Sequence, residues 1–147
     1  MKTVLACLFG LAVLAAVLPP ASAFEDVDAH PSCAVCGMDR EAFGHSRMLV
    51  EFGDGRAFGT CSLRCAARIL QAEGEARSVE VADYNTRELV GAEEAAWVIG
   101  GRRPGVMTPV AKWAFRDGRD ADRFLDEFGG ARAPYREALR KALGEIE

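Results

Sequence analysis

Two close pairs of cysteines, Cys33-x-x-Cys36 and Cys61-x-x-x-Cys65, constrain this chain more than any other feature. A short domain with a modest core gains most from groups that tie distant segments together, and thiols do this either as disulfides or as metal ligands. An even number of cysteines in an oxidising compartment fits bridges Cys33–Cys36 and Cys61–Cys65. The same spacing fits a four-thiolate metal site. Spacing alone leaves both readings open.

The compartment follows from the N-terminus. One positive charge at Lys2 precedes an apolar run from Val4 to Leu18, a Pro19-Pro20 break and the small-residue stretch Ala21-Ser22-Ala23. This is the pattern of a secretory signal peptide over residues 1–23, with cleavage expected after Ala23 and a mature chain beginning at Phe24. The apolar run is shorter than a membrane span, so no stable membrane insertion is expected after cleavage. Cys7 follows Leu5-Ala6 in the manner of a lipoprotein site, yet the long apolar segment lies after it, and processing there would leave no targeting signal. A periplasmic protein without a lipid anchor is the expectation. Loss of Lys2 makes the net charge of −4 more negative, which gives no reason to expect a nucleic-acid partner.

Residues 24–32 are acidic and aperiodic and read as a flexible lead. Residues 33–76 read as a cysteine-rich β-β-α unit: the run Ser46 to Phe52 and the return Arg56 to Gly59 flank the tight-turn signal Gly53-Asp54-Gly55. Leu63, Ala66, Ala67 and Leu70 then recur at helical spacing. Residues 77–147 read as a second such unit with a C-terminal helix. Its elements are strands Ser78 to Ala82, Ala95 to Ile99 and Ala111 to Phe115, then helices Asp120 to Phe128 and Pro134 to Leu143; Arg87 to Ala92 is ambiguous. The predicted fold is α+β, a loose pseudo-repeat of two β-β-α units, the first resembling a treble-clef cysteine knuckle followed by hairpin and helix.

The chemistry concentrates in Cys33-Ala34-Val35-Cys36-Gly37-Met38, which offers two thiols and a thioether within six residues. Soft sulfur selects Cu(I), or zinc when the ligands are thiolates. Gly37 permits the turn that lets Cys36 and Met38 face one ion. A thioether is a poor zinc ligand, so Met38 favours copper, although a methionine is also an ordinary core filler. Cys61 and Cys65, one turn apart at a helix start, can share a face, and the helix N-terminus is expected to favour their thiolates. A structural four-cysteine zinc site is the alternative. A thiol-disulfide oxidoreductase ranks behind both, because no βαβ context surrounds Cys33. Met107, in the loop Pro104 to Pro109, could supply a second thioether. His30 and His45 are the two possible imidazole ligands, His45 reading more as a surface residue, and Met48 reads as core. No serine elbow, phosphate loop or H-E-x-x-H pattern is present, so catalysis would have to rest on the thiols, and no enzyme is expected.

Taken in order, Cys36-Gly37-Met38, the WVIGG stretch from Trp97, GVMTP around Met107, and KWAF followed by DADRFLDEFGG resemble the NosL family, accessory proteins that help deliver copper to nitrous oxide reductase. The resemblance spans nearly the whole mature chain. It implies two small β-β-α units, Cu(I) binding in the periplasm, and hand-over to apo nitrous oxide reductase or another periplasmic copper client. Cys36, Met38 and Met107 match the family's proposed sulfur ligands, whereas Cys33, Cys61 and Cys65 match only some members. The chain departs from many NosL proteins in its ordinary cleavage site and in its extra cysteine pair. A periplasmic copper- or zinc-sequestering module is therefore carried as an alternative.

Overall fold

A computed structural model describes residues 24–146; the expected signal segment and Cys7 lie outside the described residues. The first hairpin pairs β1 (Met48–Glu51) with β2 (Ala57–Thr60), in register Met48 to Thr60 and Glu51 to Ala57. Its turn closes through Gly55 N–H donating to Phe52 O, with Gly55 at φ 89°. Met48 and Val50 point into the core while Leu49 and Glu51 face outward, the alternation a half-buried strand requires. Helix α2 (Leu63–Glu73) follows and buries Leu63, Ala66 and Ala67 against the sheet.

Strands β3 (Ser78–Ala82) and β4 (Leu89–Gly91) do not begin a separate sheet. They extend the first one in the order β2-β1-β3-β4, all antiparallel. The two sheets therefore do not divide between residues 33–76 and 77–147. A strand's partner is chosen by the free edge that β1 presents, and that choice is invisible in the local pattern.

The second sheet has the order β6-β5-β7, built from β5 (Ala96–Ile99), β6 (Lys112–Phe115) and β7 (Ala131–Ala133). Between β6 and β7 runs α3 (Gly118–Phe128), two residues longer at its start than its apolar spacing suggests because the Asp117 side chain caps it by accepting from Arg119 N–H. Helix α4 (Tyr135–Leu143) ends the fold and packs on α2 and β5. The β-β-α order thus recurs as β1-β2-α2 and β5-β6-α3, in an α+β fold with two small antiparallel sheets.

The second sheet separates two cores. Trp97, Ile99 and Ala114 face the first core with α2, α4 and sheet one; Val98, Trp113 and Phe115 face the second core with α3 and the cysteines. Burial on both faces explains why every residue of β6, even Lys112, is buried. Lys112 Nζ is accommodated by Glu145, Thr108 and the Val110 carbonyl, at 2.7–2.9 Å. Among the described residues no helix is long and apolar enough to cross a membrane.

The acidic lead is not a loose extension. Residues Glu25–Ala29 form a short helix, α1, and the Asp26 carboxylate bridges two arginines, 2.6 Å from Arg40 and 2.7 Å from Arg47. Both guanidinium side chains are fully buried. Arg40 also donates to the carbonyls of Asp26, His30, Met48 and Thr60, and Arg47 to those of Gly44 and Arg87. Arg47 stacks over the Phe24 ring as well. An ionic anchor of this kind has no apolar periodicity, so the segment carries no signal of order in its sequence.

Candidate metal centre

The knuckle is made by the backbone. Cys33 N–H donates to Met38 O at 2.8 Å, Gly37 N–H donates to Cys33 O at 2.9 Å, and Ser32 bridges Asp39. Gly37 takes φ 75° with open space around its Cα, so the left-handed conformation, not crowding, requires glycine there. Two ties fix the knuckle to the hairpin: Ala34 N–H donates to Gly59 O, and the Arg40 guanidinium links Thr60 O to α1.

The hairpin then brings the second cysteine pair back onto the first. Cys61 directly follows β2, its carbonyl accepting from Ser46 Oγ at 2.8 Å, and Cys65 sits in the first turn of α2. All four Sγ atoms lie within 4.8 Å of one another. Cys36 Sγ is 3.5 Å from Cys61 Sγ, Cys61 is 3.8 Å from Cys65, and Cys65 is 3.9 Å from Cys36. Met38 Sδ stands 4.0 Å from Cys61 Sγ. All four cysteines are free thiols, and the 3.5 Å approach of Cys36 to Cys61 runs across the sequence pairs instead of within them.

These separations are those of ligands around one centre. An ion bound to sulfur at about 2.3 Å spreads its ligands about 3.8 Å apart in a tetrahedron and about 4 Å apart in a trigonal plane. Cys33, Cys61 and Cys65 are buried, walled by Val98, Val106, Trp113, Phe115 and Phe124, while Cys36 is half-buried at the rim.

Proton sharing inside the cluster reverses the expectation drawn from the helix start. Hydrogen bonds from Cys61 and Cys65, helped by the backbone N–H groups of Cys36 and Val35, hold the Cys33 thiol far below its usual range against the effect of burial. The bonding to Cys33 keeps the proton on Cys61, whose pKa rises, and pushes Cys65 up to about 12, with burial adding to both. In the metal-free cluster this bonding favours the thiolate at Cys33 over those at Cys61 and Cys65. Four packed sulfurs cannot all carry charge in an apolar pocket, and Cys33 is the one with backbone donors.

The other candidates lie elsewhere. Met107 is 42% exposed at φ 55°, and its neighbour Val106 is the residue of that loop that packs in the cysteine-containing core. His45 is half-buried, contrary to its surface reading, with ring centroids 5.5 Å from Trp113 and 5.9 Å from Tyr84; burial, aided by Arg103 and Arg87, lowers its pKa. His30 lines a surface cleft with Glu25, Glu51, Glu80 and Glu88. Neither histidine belongs to the thiol group. Met48 is fully buried in the first core, as its strand position suggests. Sequence reasoning missed Asp26 and Arg40, which hold the knuckle in place; the one available signal was a charged residue two positions after Met38.

Fold and cluster together define a small α+β domain with a thiol-rich centre suited to a soft metal ion. The chain belongs to the NosL family, whose profile matches residues 24–142. Among solved structures it is similar to the crystal structure of the copper chaperone NosL from Shewanella denitrificans, at 22% identity and a TM-score of 0.63, covering 81% of this chain and 96% of that one. None of the curated proteins matches the chain in sequence.

Proposed function

We propose that this chain is a periplasmic copper chaperone that binds Cu(I) at the thiol cluster and hands it to apo nitrous oxide reductase. It acts by ligand exchange and is not an enzyme. Family membership and the similarity to a copper chaperone support the copper assignment. The observation that carries the reading is the position of Cys36: it is half-buried at the rim of an otherwise buried sulfur set, with the half-buried Met38 beside Cys61. Buried thiols retain the ion, and a rim thiol is the ligand an incoming partner reaches first. Met107, exposed on its loop, is a second thioether that joins on loading or transfer.

A structural zinc site is the second reading, favoured by sulfur separations of 3.5–3.9 Å close to a tetrahedral edge. Anaerobic competition of the reduced protein against Cu(I) and Zn(II) chelators separates the two. Copper retention that weakens in Cys36→Ser and Met38→Ala supports the chaperone. Zinc retention indifferent to Met38→Ala supports the structural site. Transfer from the loaded protein to apo nitrous oxide reductase tests the client, and the absence of faster transfer than to buffer sinks that assignment. Export with cleavage after Ala23 requires an intact mass beginning at Phe24 without acyl chains.

A further inference from the structure

Cys61 is the hub of the sulfur cluster. Its Sγ lies 3.5 Å from Cys36, 3.8 Å from Cys65 and 4.0 Å from Met38. The Cys65–Cys36 edge of 3.9 Å closes one triangle, Cys36-Cys61-Cys65. Its edges, 3.5, 3.8 and 3.9 Å, lie within about 0.5 Å of the roughly 4 Å expected of three sulfurs around a trigonal ion with bonds of about 2.3 Å. Cu(I) takes few ligands and soft ones, so that triangle satisfies one ion by itself. Cys33 and Met38 are then left over, both beside Cys61, with all four Sγ atoms mutually within 4.8 Å.

We infer that the cluster holds two Cu(I) ions as one thiolate-bridged unit, with Cys61 as the bridging ligand, Cys36 and Cys65 completing one ion's set, and Cys33 and Met38 the other's. The inference rests on the copper reading above. A thiolate has lone pairs for two metal ions, whereas a thioether binds one, so the bridge falls to a cysteine, and Cys61 lies beside Cys36, Cys65 and Met38 alike.

Charge favours the second ion. Four thiolates around a single monovalent ion carry three net negative charges into a pocket walled by Val98, Trp113, Phe115 and Phe124, a costly burial. A second Cu(I) lowers the net charge to minus two, the same as four thiolates around one zinc. The buried cation whose charge reaches Cys33, Arg40, is already paired with Asp26. Each thiol that becomes a ligand releases its proton to solvent, so loading needs no oxidant or reductant.

The test is native mass spectrometry of the mature, reduced chain titrated anaerobically with a Cu(I)–acetonitrile complex, with emission recorded in parallel, since solvent-shielded Cu(I)–thiolate clusters luminesce. The expected result is saturation at two ions per chain, with the emission appearing together with the two-ion species. Cys61→Ser should fall to one ion or fewer and lose the emission; Cys33→Ser should stop at one. Saturation of the unmodified protein at one ion, with thiols still protonated, overturns the inference and leaves the chaperone reading standing. A chain that takes zinc but no Cu(I) overturns both. Because the unmodified protein decides the stoichiometry, a Cys61→Ser chain that fails to fold by circular dichroism does not rescue the proposal.

Discussion

Replacing Asp26 by asparagine removes the charge that holds two buried guanidinium groups together while keeping the side chain's shape. In the folded protein the Arg40 and Arg47 side chains are 0% exposed and the Asp26 carboxylate 7% exposed. Removing one member of a buried pair costs about 3–5 kcal/mol, because its partner's charge is left uncompensated. Here two positive charges lose one shared anion, but four backbone carbonyls still accept from Arg40 and two from Arg47. That retained bonding places the expected loss near the lower end, about 3 kcal/mol. With a urea slope of about 1.5–2 kcal/mol/M, the unfolding midpoint should fall by about 1.5–2 M. The assay is urea denaturation of the reduced, metal-free protein followed by far-ultraviolet circular dichroism at pH 7. Burial by itself would raise the Asp26 pKa, but hydrogen bonds and charge from Arg47 and Arg40 outweigh it and hold the carboxyl below its ordinary range. A carboxyl depressed in the folded state contributes fully above its unfolded value, about 3.9, and loses its contribution as pH falls through the folded value. The gap between the unmodified protein and Asp26→Asn should therefore be full at pH 7 and narrow below about pH 4. A midpoint shift under about 0.3 M at pH 7 would refute the anchoring role of α1, being well below 1 kcal/mol on the same slope.

Gly59→Ala drives a Cβ to 2.5 Å from Arg40 Nη1 and 2.6 Å from His30 Cβ. It should cost about 1–3 kcal/mol in the same urea assay, and the double variant with Asp26→Asn should lose less than the sum because both act on Arg40. Met107 holds a left-handed φ of 55° with an exposed side chain, so Met107→Gly should stabilise the metal-free fold by about 1 kcal/mol. If the sulfur serves exchange, the same variant should lose Cu(I) faster to a chelator; unchanged loss would exclude that role. Glu145→Gln removes the carboxylate 2.7 Å from buried Lys112 Nζ while Thr108 Oγ1 and Val110 O remain, and should cost about 2 kcal/mol in thermal or urea unfolding.

Much of this protein is legible in one dimension wherever a local pattern carries the physics. The alternation of Ser78–Ala82 coincides with β3, the helical spacing of Leu63, Ala66 and Ala67 marks α2, and Phe124 and Phe128 sit on the inner side of α3. The sulfur donors Cys33, Cys36 and Met38 are adjacent in sequence, so their meeting needs only a turn and the positive φ of Gly37. Strand β7 escaped notice because three residues, Ala131–Ala133, are too few to show a period.

The amino-acid sequence by itself determined the soft-sulfur chemistry, the two β-β-α repeats and the family resemblance, because these depend on residue type and on spacings of a few positions. Tertiary structure decided everything that depends on separation in space. It set Cys61 Sγ 3.5 Å from Cys36, 25 residues earlier, instead of leaving each cysteine with its sequence neighbour. It turned an aperiodic acidic lead into the anchor for Arg40 and Arg47, 14 and 21 residues away. It also placed backbone and thiol donors around Cys33, which favour the thiolate there over the helix start. Hydrogen bonds and charges act over a few ångströms whatever the distance along the chain, so only the folded arrangement reveals which of them meet.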